Sequence, residues 1–197
     1  MALFRLTRLT EPEPRLRGDG IYLRPAAVSD YAAWAQLREA SRSFLTPWEP
    51  TWPEDDLTRA AYRRRLRRQA DEVARDESYS FFIFDAGADS LLGGLTLGGV
   101  RRGVSQTATL GYWMGAPYAG RGVMTRAVGV VGRWAFQSLR LHRIEAACLP
   151  ENIASRTLLE RNGFTREGLA RSFLKINGVW RDHLLYAIVE SEADRLV

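Results

Sequence analysis

The stretch GYWMGAPYAGRGVMTRAV, residues 111–128, decides the fold. It runs from an aromatic strand end through a Pro-Tyr turn into a Gly-Arg-Gly loop. Apolar positions at helical spacing follow at once, with Val123, Ala127, Val131, Trp134 and Ala135 on one face of a helix predicted over about 122–139. Upstream, TATLGYWMG alternates like a strand, and downstream HRIEAACL does the same. Strand, Gly-rich loop, helix, strand is a parallel crossover unit. Such a unit fixes a helix N-terminus beside a strand's C-terminal end, where first-turn N–H groups lack internal partners and the helix dipole is positive. That is a place for a phosphate. Gly120 and Gly122 let the backbone approach a diphosphate, Arg121 adds charge, and Thr125 can donate from the first helical turn.

Around this unit the pattern is mixed. SYSFFIFD and LLGGLTLGGVRR precede TATLGYWMG with turn residues between them, the signature of an antiparallel meander. IYLRPA reads as a strand, followed by a helix through Tyr31, Trp34 and Leu37 that Ser29 or Asp30 caps. FLTPWEPTWPEDD is expected to be irregular, because Pro47, Pro50 and Pro53 remove donors and disfavour helix before them. NIASRTLLERNGF predicts a short helix ended by Gly163, and the C-terminal segment predicts a hairpin turning at Asn177-Gly178. Residues 1–20, rich in Pro, Gly and alternating charge, read as a flexible leader, and residues 21–197 as a single domain.

Composition narrows the function classes. With 46% apolar and 26% charged residues, the 197-residue chain can bury a core without disulfides or metals. Cys148 is its only cysteine, so no internal disulfide or thiol cluster forms, no metal site is expected, and a reducing cytoplasm fits. Arginines interrupt the apolar residues of MALFRLTRLT, and no later run suits a membrane span.

A net charge of +5 suits an anionic ligand. The helix predicted over LTRAAYRRRLRRQADEVARDE invites an RNA-binding reading through Arg63–Arg68. From Glu54 to Glu77, however, seven arginines face seven acids, so the segment is neutral and direct nucleic-acid binding is not its expected sole role. Leu66, Ala70 and Val73 are its expected core stripe.

Neither common nucleotide fingerprint fits the Gly-rich loop. The lysine-bearing phosphate loop is absent, and Thr125 stands where a dinucleotide fold has its third glycine. Taken together and in order, LGYWMGAPYAGRGVMTRAV, LHRIEAACLPENIASRTLLERNGFTREG and INGVWRDHLLYAI resemble the GCN5-related N-acetyltransferases, or GNAT superfamily, and within it the RimJ/RimL group of ribosomal-protein N-terminal acetyltransferases. The resemblance covers the chain from Ile21 onward. It implies a GNAT α/β (α+β) fold with a mostly antiparallel mixed sheet. It also implies acetyl-CoA as acetyl donor and a primary amine as acceptor, here the N-terminal α-amine of a protein, with a polyamine, antibiotic or amino acid as the alternative. The expected assembly is a monomer or homodimer.

The same resemblance distributes roles. The superfamily motif Q/R-x-x-G-x-G/A falls on Ala119–Met124, with Ala119 and Met124 departing at its first and last positions. Gly120, Arg121, Gly122, Val123, Met124 and Thr125 would cradle the diphosphate, and main-chain groups at Trp113 and Met114 would pair with pantetheine. Asn152 would hold pantetheine from the opposite side, or cap the short helix, or both. Trp48, Trp52 and Trp180 would border the acceptor. Many relatives place a glutamate two residues before the GYW, whereas this chain has Thr109; Glu145 on the neighbouring strand is the substitute base, or a surface charge. Where many members carry a tyrosine as acid, this chain has Leu159. The RimJ/RimL branch instead suggests Ser155, whose hydroxyl either serves the departing sulfur or bonds to nearby backbone. Cys148, His142 and His183 read as structural or rim residues.

Amine chemistry sets how much base is required. At pH 7 an α-amine of pKa near 7.8 costs about 1 kcal/mol to deprotonate, and a lysine near 10.4 about 4.6 kcal/mol. A site without a strong carboxylate base therefore favours α-amines.

Overall fold

The computed structural model describes residues 14–197. One eight-stranded sheet runs in the order β1-β2-β3-β4-β5-β6-β8-β7. Its strands are β1 (Leu16–Gly18), β2 (Ile21–Arg24), β3 (Ser78–Asp85), β4 (Leu91–Arg101), β5 (Thr107–Met114), β6 (Arg143–Cys148), β7 (Thr165–Ile176) and β8 (Val179–Val189). The β3-β4-β5 meander is antiparallel, and the one parallel pair is β5 with β6, joined by the crossover helix α4 (Val123–Gln137). This is the mixed α/β architecture expected. Among the described residues no helix is long and apolar enough to cross a membrane.

Two helical layers cover the sheet. α4 buries Ala127, Val131 and Ala135 completely, and its Trp134 meets Tyr79 and Phe81 edge-on at 5.3 Å. Burying those side chains is worth about 1.5–3 kcal/mol for each large one, more than the intrinsic preference of any helix this short. The same core takes in α5 (Ile153–Arg161) through Leu159. On the other face α1 (Tyr31–Ala40) and α3 (Arg59–Ala74) enclose a smaller cluster around Trp34, Tyr62, Phe82 and Phe84.

Three local expectations change. The sheet starts before Ile21, because Leu16–Gly18 pairs with β2 in the register Leu16↔Leu23; residues 1–13 of the expected leader lie outside the described residues. The Pro-rich stretch is partly helical, with α2 at Arg42–Leu45 and a 3-10 turn at Thr46–Trp48, since Pro47 fits the first positions of a helical turn. In α3 the buried contacts are Tyr62 and Leu66, whereas Ala70 and Val73 are exposed. Only the N-terminal half of that helix packs inward, and three of its arginines pair with Asp55, Asp56 and Glu72.

Candidate active site

The site lies where the sheet opens. β5 and β6 pair from Thr107↔Arg143 to Leu110↔Ala146, and there the ladder stops. β5 nevertheless continues along β4 to Met114↔Gly93, and β6 along β8 to Cys148↔Leu184. Along Gly111–Met114 the main-chain groups turned away from β4, on alternate residues, therefore face β6 with no ladder partner, a strand edge that can accept a peptide-like ligand.

The loop at the end of that edge is shaped by its glycines. Gly120 has φ +73° and Gly122, the N-cap of α4, has φ +70°, a region that penalises any Cβ. No side chain caps this helix end. Among the described residues the amides of residues 120–125 donate to no protein group, and a Cβ built on Gly120 would meet nothing within 4 Å. An open turn of unpaired amides on a helix N-terminus suits a diphosphate, with Arg121 exposed beside it.

Across the opening, Asn152 caps α5 by accepting from the Ser155 amide at 3.0 Å. Ser155 is nearly buried, and its hydroxyl lies 2.5 Å from the phenol oxygen of Tyr112 rather than on local backbone. Burial holds the Tyr112 phenol well above its usual range, so it stays protonated. Cys148 sits below Ser155 as a core side chain, its thiol pushed up to about 11 by burial. His183 is buried with Nδ1 against the Arg181 carbonyl, and His142 is exposed.

Trp113 is in the open half of β5, but its indole lies on the opposite face from Tyr112, among the α1 and α3 cluster. Gly94 makes that placement feasible: a Cβ there would be 2.5 Å from the Trp113 indole nitrogen. The buried Arg38 guanidinium is 5.0 Å from the Trp113 ring and 4.0 Å from that of Trp52. Trp52 also donates to Glu49 at 2.7 Å, and the Glu49 carbonyl accepts from the Asn177 amide at 2.9 Å. The loop bearing Trp48 and Trp52 is thus tied to the tip of the β7-β8 hairpin, where Trp180 is 61% exposed. Arg38, Glu49 and Tyr112 were not singled out by sequence. The available signals were an arginine one turn after Trp34 on a buried helix face, and a tyrosine in phase with Ala108 and Leu110.

Glu145 does not have the environment of a base. It lies in the closed part of the ladder, paired with Thr109, and its carboxylate accepts from Arg101 at 2.8 Å and Arg143 at 3.0 Å. Arg143 in turn bonds Glu167, which makes a charged staple across β6 and β7. Both carboxylate oxygens are thus held in charge-assisted hydrogen bonds rather than left free for an amine proton.

Comparison with known proteins identifies the family. The family model for an acetyltransferase (GNAT) domain matches residues 21–165. The chain belongs to the GNAT acetyltransferase family. A probable N-acetyltransferase of Bacillus subtilis, YjcK, is 39% identical over 91% of this chain and 99% of its own length. The alanine N-acetyltransferase of ribosomal protein uS5 from Escherichia coli is 33% identical over 92% of this chain and 93% of its own length. The structure of Mycobacterium smegmatis RimJ in complex with CoA-disulfide superposes with a TM-score of 0.85 at 35% identity, covering 93% of this chain and 91% of the other. This GNAT protein is an acetyl-CoA-dependent N-acetyltransferase, and among its described residues no group of metal-ligating side chains occurs.

Proposed function

We propose that the enzyme transfers the acetyl group of acetyl-CoA to the N-terminal α-amine of a protein, a ribosomal protein being the favoured acceptor. The observation that carries this reading is the engagement of two carboxylates, Glu145 and Glu49, by guanidinium groups. Glu145 is held by two guanidinium groups, and Glu49 by both nitrogens of Arg38. With Thr109 at the position of the usual glutamate, neither of these carboxylates is placed to strip a lysine ammonium, whereas an α-amine reaches its neutral form at about 1 kcal/mol. The full-length likeness to the uS5-alanine enzyme supports the same acceptor class.

In this reading the amides of Gly120, Arg121, Gly122, Val123, Met124 and Thr125 bind the diphosphate, and the main chain at Trp113 and Met114, with Asn152, holds pantetheine. Charge-assisted hydrogen bonds of about 1.5–3 kcal/mol each outweigh the dipole contribution of roughly 1 kcal/mol, so the loop amides dominate. The neutral amine attacks the thioester carbon, polarised by the Met114 amide, and the carbon–sulfur bond breaks as the amide nitrogen loses its extra proton to solvent. The Ser155 hydroxyl stabilises the departing thiolate. Trp48, Trp52 and Trp180 border the acceptor.

Labelled acetyl-CoA, offered with peptides bearing free Ala, Ser or Met N-termini and with N-blocked peptides bearing an internal lysine, tests the assignment. Label on the free Ala and Ser termini is expected. Label confined to the lysine peptides, or to free polyamines added in parallel, would overturn it.

A further inference from the structure

The sheet's opening is bridged at one point that the acetyl-transfer chemistry above does not use. Tyr112 lies in the unpaired half of β5, with its side chain in phase with Ala108 and Leu110 on the buried face. Ser155 stands on the far side, in the first turn of α5, which continues from β6. Their oxygens are 2.5 Å apart across a sequence separation of 43 residues. The remaining polar groups of Ser155 are already assigned, since its amide is capped by Asn152. Cys148, Tyr186, Arg156 and Glu160 are the other charged or titratable neighbours of this pair.

A serine hydroxyl has one proton to give and two lone pairs to fill. If that proton went to Tyr112, none would remain for a sulfur anion. The phenol is the stronger acid of the two, and hence the better donor. We propose that Tyr112 is a positioning residue for acetyl transfer: by donating to Ser155 Oγ it turns the serine's own proton toward the departing thiolate of CoA. This rests on the role given to Ser155 above. Tyr112 does not itself protonate the sulfur, because a buried phenol holds its proton more tightly than a thiol does. Its contribution is orientation, with the bond bracing the two lips of the opening.

The test compares wild type, Tyr112→Phe, Ser155→Ala and the double variant, with acetyl-CoA and an Ala-terminated peptide. Tyr112→Phe should lower kcat about tenfold and leave KM for acetyl-CoA within about twofold, and the double variant should be no slower than Ser155→Ala. In the complex with CoA, the thiol pKa, read as thiolate absorbance against the desulfo-CoA complex, should rise in Tyr112→Phe. The inference is overturned if Tyr112→Phe keeps full kcat while Ser155→Ala is slow. It is equally overturned if the two losses multiply in the double variant, or if the bound thiol pKa does not move. Full rate in Ser155→Ala would remove the serine role, and this inference with it, while α-amine labelling would leave the enzyme's function standing.

Discussion

Arg38 and Glu49 form a two-pronged ion pair, Nη1 to Oε1 and Nη2 to Oε2, both at 2.7 Å. The pair joins a buried face of α1 to the Pro-rich loop, and the guanidinium is flanked by the indoles of Trp52 and Trp113. One of those tryptophans is on the loop proposed to border the acceptor and the other on the strand edge proposed to hold pantetheine. The arginine ties that loop to that strand, and planar stacking with forked donation is something a lysine cannot reproduce.

Arg38→Met keeps most of the stem volume and removes the charge. Glu49 then loses its ion pair and keeps only the Trp52 indole N–H, and both indoles lose a cation. A stability loss of about 2 kcal/mol is expected, less than for a fully buried pair because Glu49 retains 20% exposure. For a domain of this size that lowers Tm by roughly 5 °C. KM for the acceptor peptide should rise more than KM for acetyl-CoA, because the loop is the less supported half. Steady-state kinetics on both substrates, with thermal unfolding, check it; equal changes in both KM values would mean that Arg38 acts on the fold alone.

Gly122→Ala probes the phosphate loop. At φ +70° an alanine costs about 1 kcal/mol, while its Cβ would be 3.4 Å from the mobile end of Arg126 and meets no backbone. Stability should fall slightly. The strain relaxes by moving the amides of residues 121–124 out of register, so acetyl-CoA affinity measured by titration calorimetry should drop about tenfold, the equivalent of one charge-assisted hydrogen bond. Gly122→Pro, whose ring fixes φ near −65°, should abolish binding. Unaltered affinity in both variants would take the diphosphate away from this loop.

Much of the fold was legible because periodicity and turn chemistry agreed. The β3-β4-β5 alternation, the apolar stripe of α4, Gly163 at φ +75° after α5 and the Asn177-Gly178 turn each carry a local signal that tertiary contacts reinforce. What escaped was non-local. β1 has three residues and exists through its register with β2. Ala70 and Val73 keep the helical phase of Leu66 but are exposed. The loop amides could be read from Gly-x-Gly before a helix. The contacts of Arg38 with Trp113, and of Tyr112 with Ser155, depend on where β5 and β6 part, and no spacing in the sequence encodes that point.

Cys148 supplies a test with a defined pH sign. Burial raises its thiol from 9.0 to about 11, so at pH 8 only about one native molecule in a thousand carries the thiolate, against about one in ten for an unshielded thiol of the ordinary value. Iodoacetamide at pH 8 should therefore label the native enzyme far more slowly than the urea-unfolded chain. The same shift acts on stability. Above pH 9 the unfolded chain releases this proton while the folded protein keeps it, so the unfolded state binds fewer protons and stability falls as pH rises from about 9 toward 11. Cys148→Ala removes that contribution. Its own cavity lowers stability at every pH, but the decline between pH 9 and 11 should be shallower than in wild type when both are followed by urea denaturation. Parallel curves, or rapid native alkylation at pH 8, would show that the thiol is not shielded by the core as its packing against Ser155 and β8 requires.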